Sequence, residues 1–205
     1  MGLEREKIEY TTYPWGPLLF KSRVKLEDIK EFKKICNAAT ENFSSNLAGI
    51  IKDERVIDKF EYLNIIKPYF KAYQNAHQNW YGVNLEGIKV NHAWVNFMKK
   101  GESNPPHVHN GCDLSSVLFI DIPDEIKKEQ REWKGTGSGP GSLMFITGNP
   151  QPFHTRSFEF KPEIGDFFIF PWNLTHSVAN FRSDVTRISV AANFSLLESQ
   201  PGEKK

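Results

Sequence analysis

The sequence predicts a mainly β protein with N-terminal helices, an α+β chain whose strands close into a double-stranded β-helix of the jelly-roll or cupin type. Two observations carry this expectation. Apolar residues recur at helical spacing in two stretches before residue 86. From Gly87 onward the pattern changes to short β-rich runs separated by Gly, Pro and Asn. Such a series of short strands fits a barrel or a double sheet, with the helices covering one outer face.

Taken in order, the segment "EYTTY" offers a possible edge strand. In "LEDIKEFKKICNAA", residues 26–39, Leu26, Ile29, Phe32, Ile35, Cys36 and Ala39 share one side and the charges take the other, which predicts an amphipathic helix. A second helix is expected over roughly residues 54–80, on the stripe Val56, Phe60, Leu63, Ile66, Phe70, Tyr73, His77 and Trp80, with Pro68 kinking or dividing it. Seven strands follow: "IKVNHAWVNFM", "LSSVLFIDI", "SLMFI", "SFEF", "DFFIF", "HSVANF" and "RISVAANFSLL". The charged, then glycine-rich segment 124–141 fits neither phosphate-loop nor dinucleotide-loop spacing and reads as a flexible loop, long enough to act as a lid.

One domain is expected over 1–205: a helical support region (1–86), a β-helix core (87–197) and a mobile tail (198–205). A hydrophobic fraction of 39% excludes a disordered chain. Net charge is +1, and residues 1–86 carry 13 basic and 12 acidic side chains, so no basic field announces nucleic acid or a membrane surface. Cys36 and Cys112 match no paired-cysteine spacing, and the chain has no run of 18 apolar residues. A soluble, cytoplasmic protein is the expectation.

The chemistry concentrates in "PPHVHNGCD". Alternate residues of an extended chain share a face, so His107 and His109 can aim at one point, and Pro105 and Pro106 favour that extension. A divalent ion needs a third ligand, and His176 offers one, after "GDFFIF" and a proline-containing turn. In "RISVAANFS", Arg187, Ser189, Ala191 and Asn193 fall on one face and Ile188, Val190, Ala192 and Phe194 on the other. If the first face lines the barrel, Arg187 is a buried cation that must meet an anion, and a dicarboxylate held by its guanidinium and the Ser189 hydroxyl would satisfy it.

The segments "WVNFMKKGESNPPHVHNGCDLSSVLFIDIP" and "FKPEIGDFFIFPWNLTHSVANFRSDVTRISVAANFSL" resemble the 2-oxoglutarate/Fe(II)-dependent oxygenases of the double-stranded β-helix superfamily. The likeness spans residues 88–197. It implies Fe(II), 2-oxoglutarate as cosubstrate and O2, with a small-molecule or peptide substrate hydroxylated as 2-oxoglutarate becomes succinate and CO2. It assigns His107 and His176 to the metal and the Arg187-x-Ser189 pair to the cosubstrate. Most members carry an acidic residue where this chain has His109, so a three-histidine site is implied, with Asp113 as the alternative carboxylate ligand. Trp94, Asn96 and Trp172 are candidate pocket walls.

Two competing readings stand beside it. Taken as HxHxxxD, with Gly165, Pro171, His176 and Asn180, the same segments resemble the two cupin motifs, which would make a metalloenzyme that does not use 2-oxoglutarate. The other is a non-catalytic jelly-roll binding module. His77, His92 and His154 lack partners at ligand spacing, and Cys112 reads as a small packing residue despite its closeness to the histidine pair.

Overall fold

The computed structural model describes residues 8–13, 16–44, 48–148 and 156–197. The expected tail and His154 lie outside the described residues. Strands β1 (Tyr10–Tyr13) and β2 (Leu19–Arg23) lead into helix α1 (Leu26–Ala38), then β3 (Glu54–Val56) and helix α2 (Lys59–Tyr81). The remaining elements are β4 (Gly87–Met98), β5 (Asn104–His107), β6 (Leu114–Asp121), α3 (Asp124–Glu132), β7 (Leu143–Ile146), β8 (Ser157–Phe160), β9 (Asp166–Pro171), β10 (Thr175–Val178) and β11 (Arg187–Leu197).

The strands form two antiparallel sheets, one of seven in the order β1-β2-β9-β6-β11-β4-β3 and one of four in the order β5-β10-β7-β8. Successive strands from β4 onward fall mostly in different places in the two sheets, which is the winding of a double-stranded β-helix. Among the described residues no helix is long and apolar enough to cross a membrane.

The large sheet is buried on both faces, and each face has its own core. In β9, Phe167 and Ile169 face the helices, whereas Phe168 and Phe170 face the small sheet. A strand covered on both sides must be apolar at every position, which is why "DFFIF" does not alternate with polar residues. The helix-side core joins Ile29 and Phe32 of α1 and Tyr62, Ile66, Phe70 and Tyr73 of α2 to Val95, Leu118, Val190 and Phe194. The inter-sheet core joins Leu19, Met98, Phe119, Phe145, Phe168 and Phe170.

Several boundaries differ from expectation for identifiable reasons. Residues 54–56 are a strand, and α2 begins at Lys59, because the Asp58 carboxylate accepts from the backbone N–H groups of Phe60 and Glu61 at 2.8 and 2.9 Å. The helix runs undivided through Pro68 to Gly82, whose positive φ ends it. Leu26 and Phe60, both assigned to apolar stripes, are exposed and lie in the first turns of their helices. The segment expected as a flexible loop contains α3, and its glycine-rich part is anchored: Gln130 Nε2 donates to Pro140 O at 2.9 Å and Gly139 N–H donates to Glu159 Oε1 at 2.8 Å.

Candidate metal centre

Two paired strands, β5 and β10, bring the histidines together. His176 on β10 and His107 on β5 are direct cross-strand partners, and His109 lies two residues beyond the end of β5, held by a bond from its N–H to Trp172 O at 3.0 Å. Residues opposite each other in an antiparallel pair point to the same side, so the two strand imidazoles meet. One ring nitrogen from each of His107, His109 and His176 lies within 4.8 Å of the other two, the only such group of potential metal ligands among the described residues.

The surroundings set the tautomers. Pro105 O accepts from His107 Nδ1 at 2.7 Å and Leu174 O accepts from His176 Nδ1 at 2.9 Å. A carbonyl only accepts, so in both rings the proton sits on Nδ1 and the Nε2 lone pair is free for a metal. His109 Nε2 stands 3.1 Å from His176 Nε2. Two nitrogens bound at right angles to one ion at roughly 2.1 Å would be about 3 Å apart. The spacing therefore fits a cation between them. Burial, then the neighbouring imidazoles, lowers the His109 and His176 pKa values to about 4 and about 3, and burial lowers that of His107. All three are uncharged at neutral pH, the form that binds metal.

Arg187 starts β11 on the same inner face and is 2% exposed. Its Nη1 donates to Gly141 O at 3.1 Å, its guanidinium lies 5.3 Å from the Phe119 ring centroid, and its buried Nε has no acceptor among the described residues. Among the described residues no carboxylate lies within ion-pair distance of it, and burial draws its pKa down to about 10. A buried cation with an unused N–H has the capacity to bind an anion. Gly141, at φ +67°, adopts the left-handed turn that precedes β7 and supplies Arg187's carbonyl partner.

A cavity between the sheets connects these groups, lined by all three imidazoles together with Arg187, Ser189 and Asn96. Asn96 ties its wall together, accepting from Trp94 Nε1 at 3.1 Å and donating to Ser189 Oγ at 3.4 Å. An outer cavity of about 720 Å³, counting open space at its mouth, adjoins the first and shares Trp94, Asn104, His107 and His109 with it. Trp172 lines neither cavity and is 38% exposed.

Asp113 is not gathered with the histidines. Its N–H bonds Phe194 O, and its Oδ2 accepts from Leu196 N–H at 2.8 Å, so the carboxylate caps the end of β11. Cys112 donates weakly to His109 O at 3.6 Å, and burial keeps its thiol protonated with a pKa of about 11. His77 bonds Val83 O, and His92 lies near Phe43. Sequence reasoning missed Gly141, which is remote in the chain from Arg187, and Asn104, whose only signal is its place just ahead of the proline pair.

Residues 92–193, about half of the chain, match the family described as "Putative 2OG-Fe(II) oxygenase". No curated protein matches the chain. Among solved structures, a prolyl-4-hydroxylase from Pseudomonas putida is similar at 12% identity and a TM-score of 0.56, over 86% of this chain and 91% of that one. A viral collagen prolyl hydroxylase from Paramecium bursaria Chlorella virus-1, solved with 2OG, is similar at 14% identity and a TM-score of 0.55, over 88% and 97%. The epimerase SnoN from nogalamycin biosynthesis, a non-haem α-ketoglutarate-dependent enzyme, is similar at 13% identity and a TM-score of 0.53, over 85% and 78%. These likenesses establish a shared double-stranded β-helix fold. On the family match over residues 92–193 and the fold that carries it, this chain belongs to the 2OG-Fe(II) oxygenases, enzymes that use Fe(II), 2-oxoglutarate and O2.

Proposed function

We propose that the protein hydroxylates a peptide or small-molecule substrate, converting R–H, 2-oxoglutarate and O2 into R–OH, succinate and CO2. His107, His109 and His176 would hold Fe(II), and Arg187 with Ser189 would hold the far carboxylate of 2-oxoglutarate. The observation that carries this reading is one inner cavity lined by both three uncharged imidazoles and a buried guanidinium that has no counter-ion among the described residues. The contacts favour this reading over the cupin-like alternative, since Asp113 caps a strand and, among the described residues, Arg187 has no carboxylate within ion-pair distance.

When bound, Fe(II) supplies the activation of O2 by oxidative loss of CO2 from 2-oxoglutarate. The chain's own residues do the rest. Pro105 O and Leu174 O fix the ring orientations of His107 and His176 through their Nδ1 protons. Arg187 meets a carboxylate with two parallel N–H donors, and the Phe119 ring and Gly141 carbonyl hold the guanidinium in place to do so. Phe170, Leu143 and Val178 wall the cavity with apolar surface, which excludes water and strengthens each polar contact inside it. Three histidines leave the metal one negative charge short of a site with one acidic ligand, which shifts metal affinity and redox behaviour.

The test is succinate formation by purified protein given Fe(II), 2-oxoglutarate and O2. Wild type should form succinate and Arg187→Ala should not. Equal output from both proteins would remove Arg187 from cosubstrate binding.

A further inference from the structure

The outer cavity has a lining unlike that of the inner one. Apart from His107 and His109, no titratable side chain among the described residues lines it; Asn104, Asn110 and Asn193 supply its side-chain amides, and Trp94 and Val108 its apolar wall. A charged substrate would find no counter-ion there. The lining is nonetheless polar in a specific way.

Asn104 Oδ1 is buried, and among the described residues no donor reaches it. Leaving a carboxamide oxygen in that state costs about 1–3 kcal/mol, and such groups mark places where a ligand completes the bonding. The chain makes room for this side chain. A Cβ at Gly49 would stand 1.7 Å from Asn104 Oδ1, and the bond from Ile50 N–H to Ser103 O at 3.1 Å holds the two segments together. Only glycine at 49 permits the carboxamide to sit where it does.

Asn193 complements it. Its Oδ1 accepts from Ser115 Oγ at 3.0 Å, and among the described residues its Nδ2 has no acceptor, which leaves donors for a ligand. Trp94 has already given its indole N–H to Asn96 Oδ1, so it offers the cavity ring surface alone. An unpaired carboxamide oxygen, an unpaired carboxamide nitrogen and a flat apolar wall therefore share one uncharged pocket beside the imidazoles. A peptide group has one N–H and one C=O to match them.

We infer that the outer cavity binds a neutral, amide-bearing substrate through the side-chain amides of Asn104 and Asn193, stacked against Trp94. The inference rests on the oxygenase reading of the adjoining site and names the substrate class for it. The amide can belong to a polypeptide segment or to a small neutral amide.

Saturation-transfer NMR on the full chain with Zn(II), a diamagnetic stand-in for Fe(II), separates the cases. The probes are a pool of N-acetylated, C-amidated neutral hexapeptides, a set of small neutral amides, and a charged set of free amino acids and sugar phosphates. Transfer to the first set alone identifies a polypeptide substrate, and transfer to the first two identifies the amide as sufficient; both support the inference. Asn104→Leu should weaken that binding about tenfold, the effect of one lost hydrogen bond. Asn193→Asp, which keeps the shape and replaces the Nδ2 donor by an oxygen that repels a ligand carbonyl, should do the same if the leucine variant fails to fold. Preference for the charged set, no binding by any set, or amide binding unchanged in the folded variants would overturn the inference. Succinate formation by wild type is scored separately: its absence with amide binding intact would sink the oxygenase reading alone.

Discussion

Replacing Arg187 with Met asks whether this guanidinium serves the protein or a ligand. Burial lowers its pKa from 12.5 to about 10. At 1.36 kcal/mol per pKa unit that is roughly 3 kcal/mol against holding the charge inside. Against this stand one hydrogen bond to Gly141 O, worth about 1.5–3 kcal/mol for a charged donor, and the Phe119 contact, worth about 0.5–1 kcal/mol. The contributions nearly cancel, so Arg187→Met should change the stability of ligand-free protein by no more than about 1 kcal/mol in either direction. Breaking a buried pair with an internal partner would instead cost about 3–5 kcal/mol. Ligand linkage should behave oppositely. With Zn(II) present and 2-oxoglutarate at about 100 times its Kd, wild type should gain about 2.7 kcal/mol, a rise in Tm of roughly 5–10 °C, and the variant almost nothing. Urea unfolding followed by circular dichroism, with and without 2-oxoglutarate, reads both effects. A variant that loses several kcal/mol without ligand, or that keeps the 2-oxoglutarate shift, would refute the reasoning.

Three further outcomes are expected. His109→Ala should weaken Fe(II) binding in anaerobic titration by at least about tenfold, whereas His109→Asp, which returns a negative charge to the site, should bind at least as tightly as wild type; unchanged affinity in the alanine variant would exclude His109 as a ligand. The Glu54 carboxyl, raised by burial and then by Glu102 from 4.5 to about 7, holds its proton more tightly in the folded protein than in the unfolded chain. Its contribution to stability is thus complete below about pH 4.5 and is lost as pH rises through about 7, so Glu54→Gln should gain up to roughly 3 kcal/mol at pH 8 and little at pH 4.5; equal gains in urea unfolding at both values would contradict this. Asp58→Ala removes the cap of α2 and should cost about 1 kcal/mol, a fall in Tm of roughly 2–4 °C by calorimetry, and an unchanged Tm would show that the helix needs no cap.

The legible parts of the fold are those where burial writes a period into the chain. Ile29, Phe32 and Cys36 recur at helical spacing because one side of α1 meets the sheet, and Arg187, Ser189 and Ala191 alternate with Val190 and Ala192 because β11 separates the cavity from the helix-side core. Short or polar elements leave no such trace. In β3, "ERV" is too short to show a period, and α3 buries only Ile126 and Gln130, so its helix rests on bonds such as that of Glu129 with Ser183, 54 residues away. The candidate site divides in the same way. The HxH pair and His176 are visible because the strand period brings them to one side. Whether His109 or Asp113 joined them was open, since that depends on β11: the backbone N–H of Leu196 holds the Asp113 carboxylate, a contact 83 residues distant in sequence. Arg187's link to Gly141, 46 residues away, is equally silent in the sequence.

In the proposed site three imidazoles from two separated segments hold one metal ion. Anaerobic Fe(II) titration of wild type, His176→Ala and Asp113→Ala tests it most directly. One equivalent bound by wild type and by Asp113→Ala, with binding lost in His176→Ala, is the predicted result. Uptake that survives in His176→Ala and disappears in Asp113→Ala would contradict it.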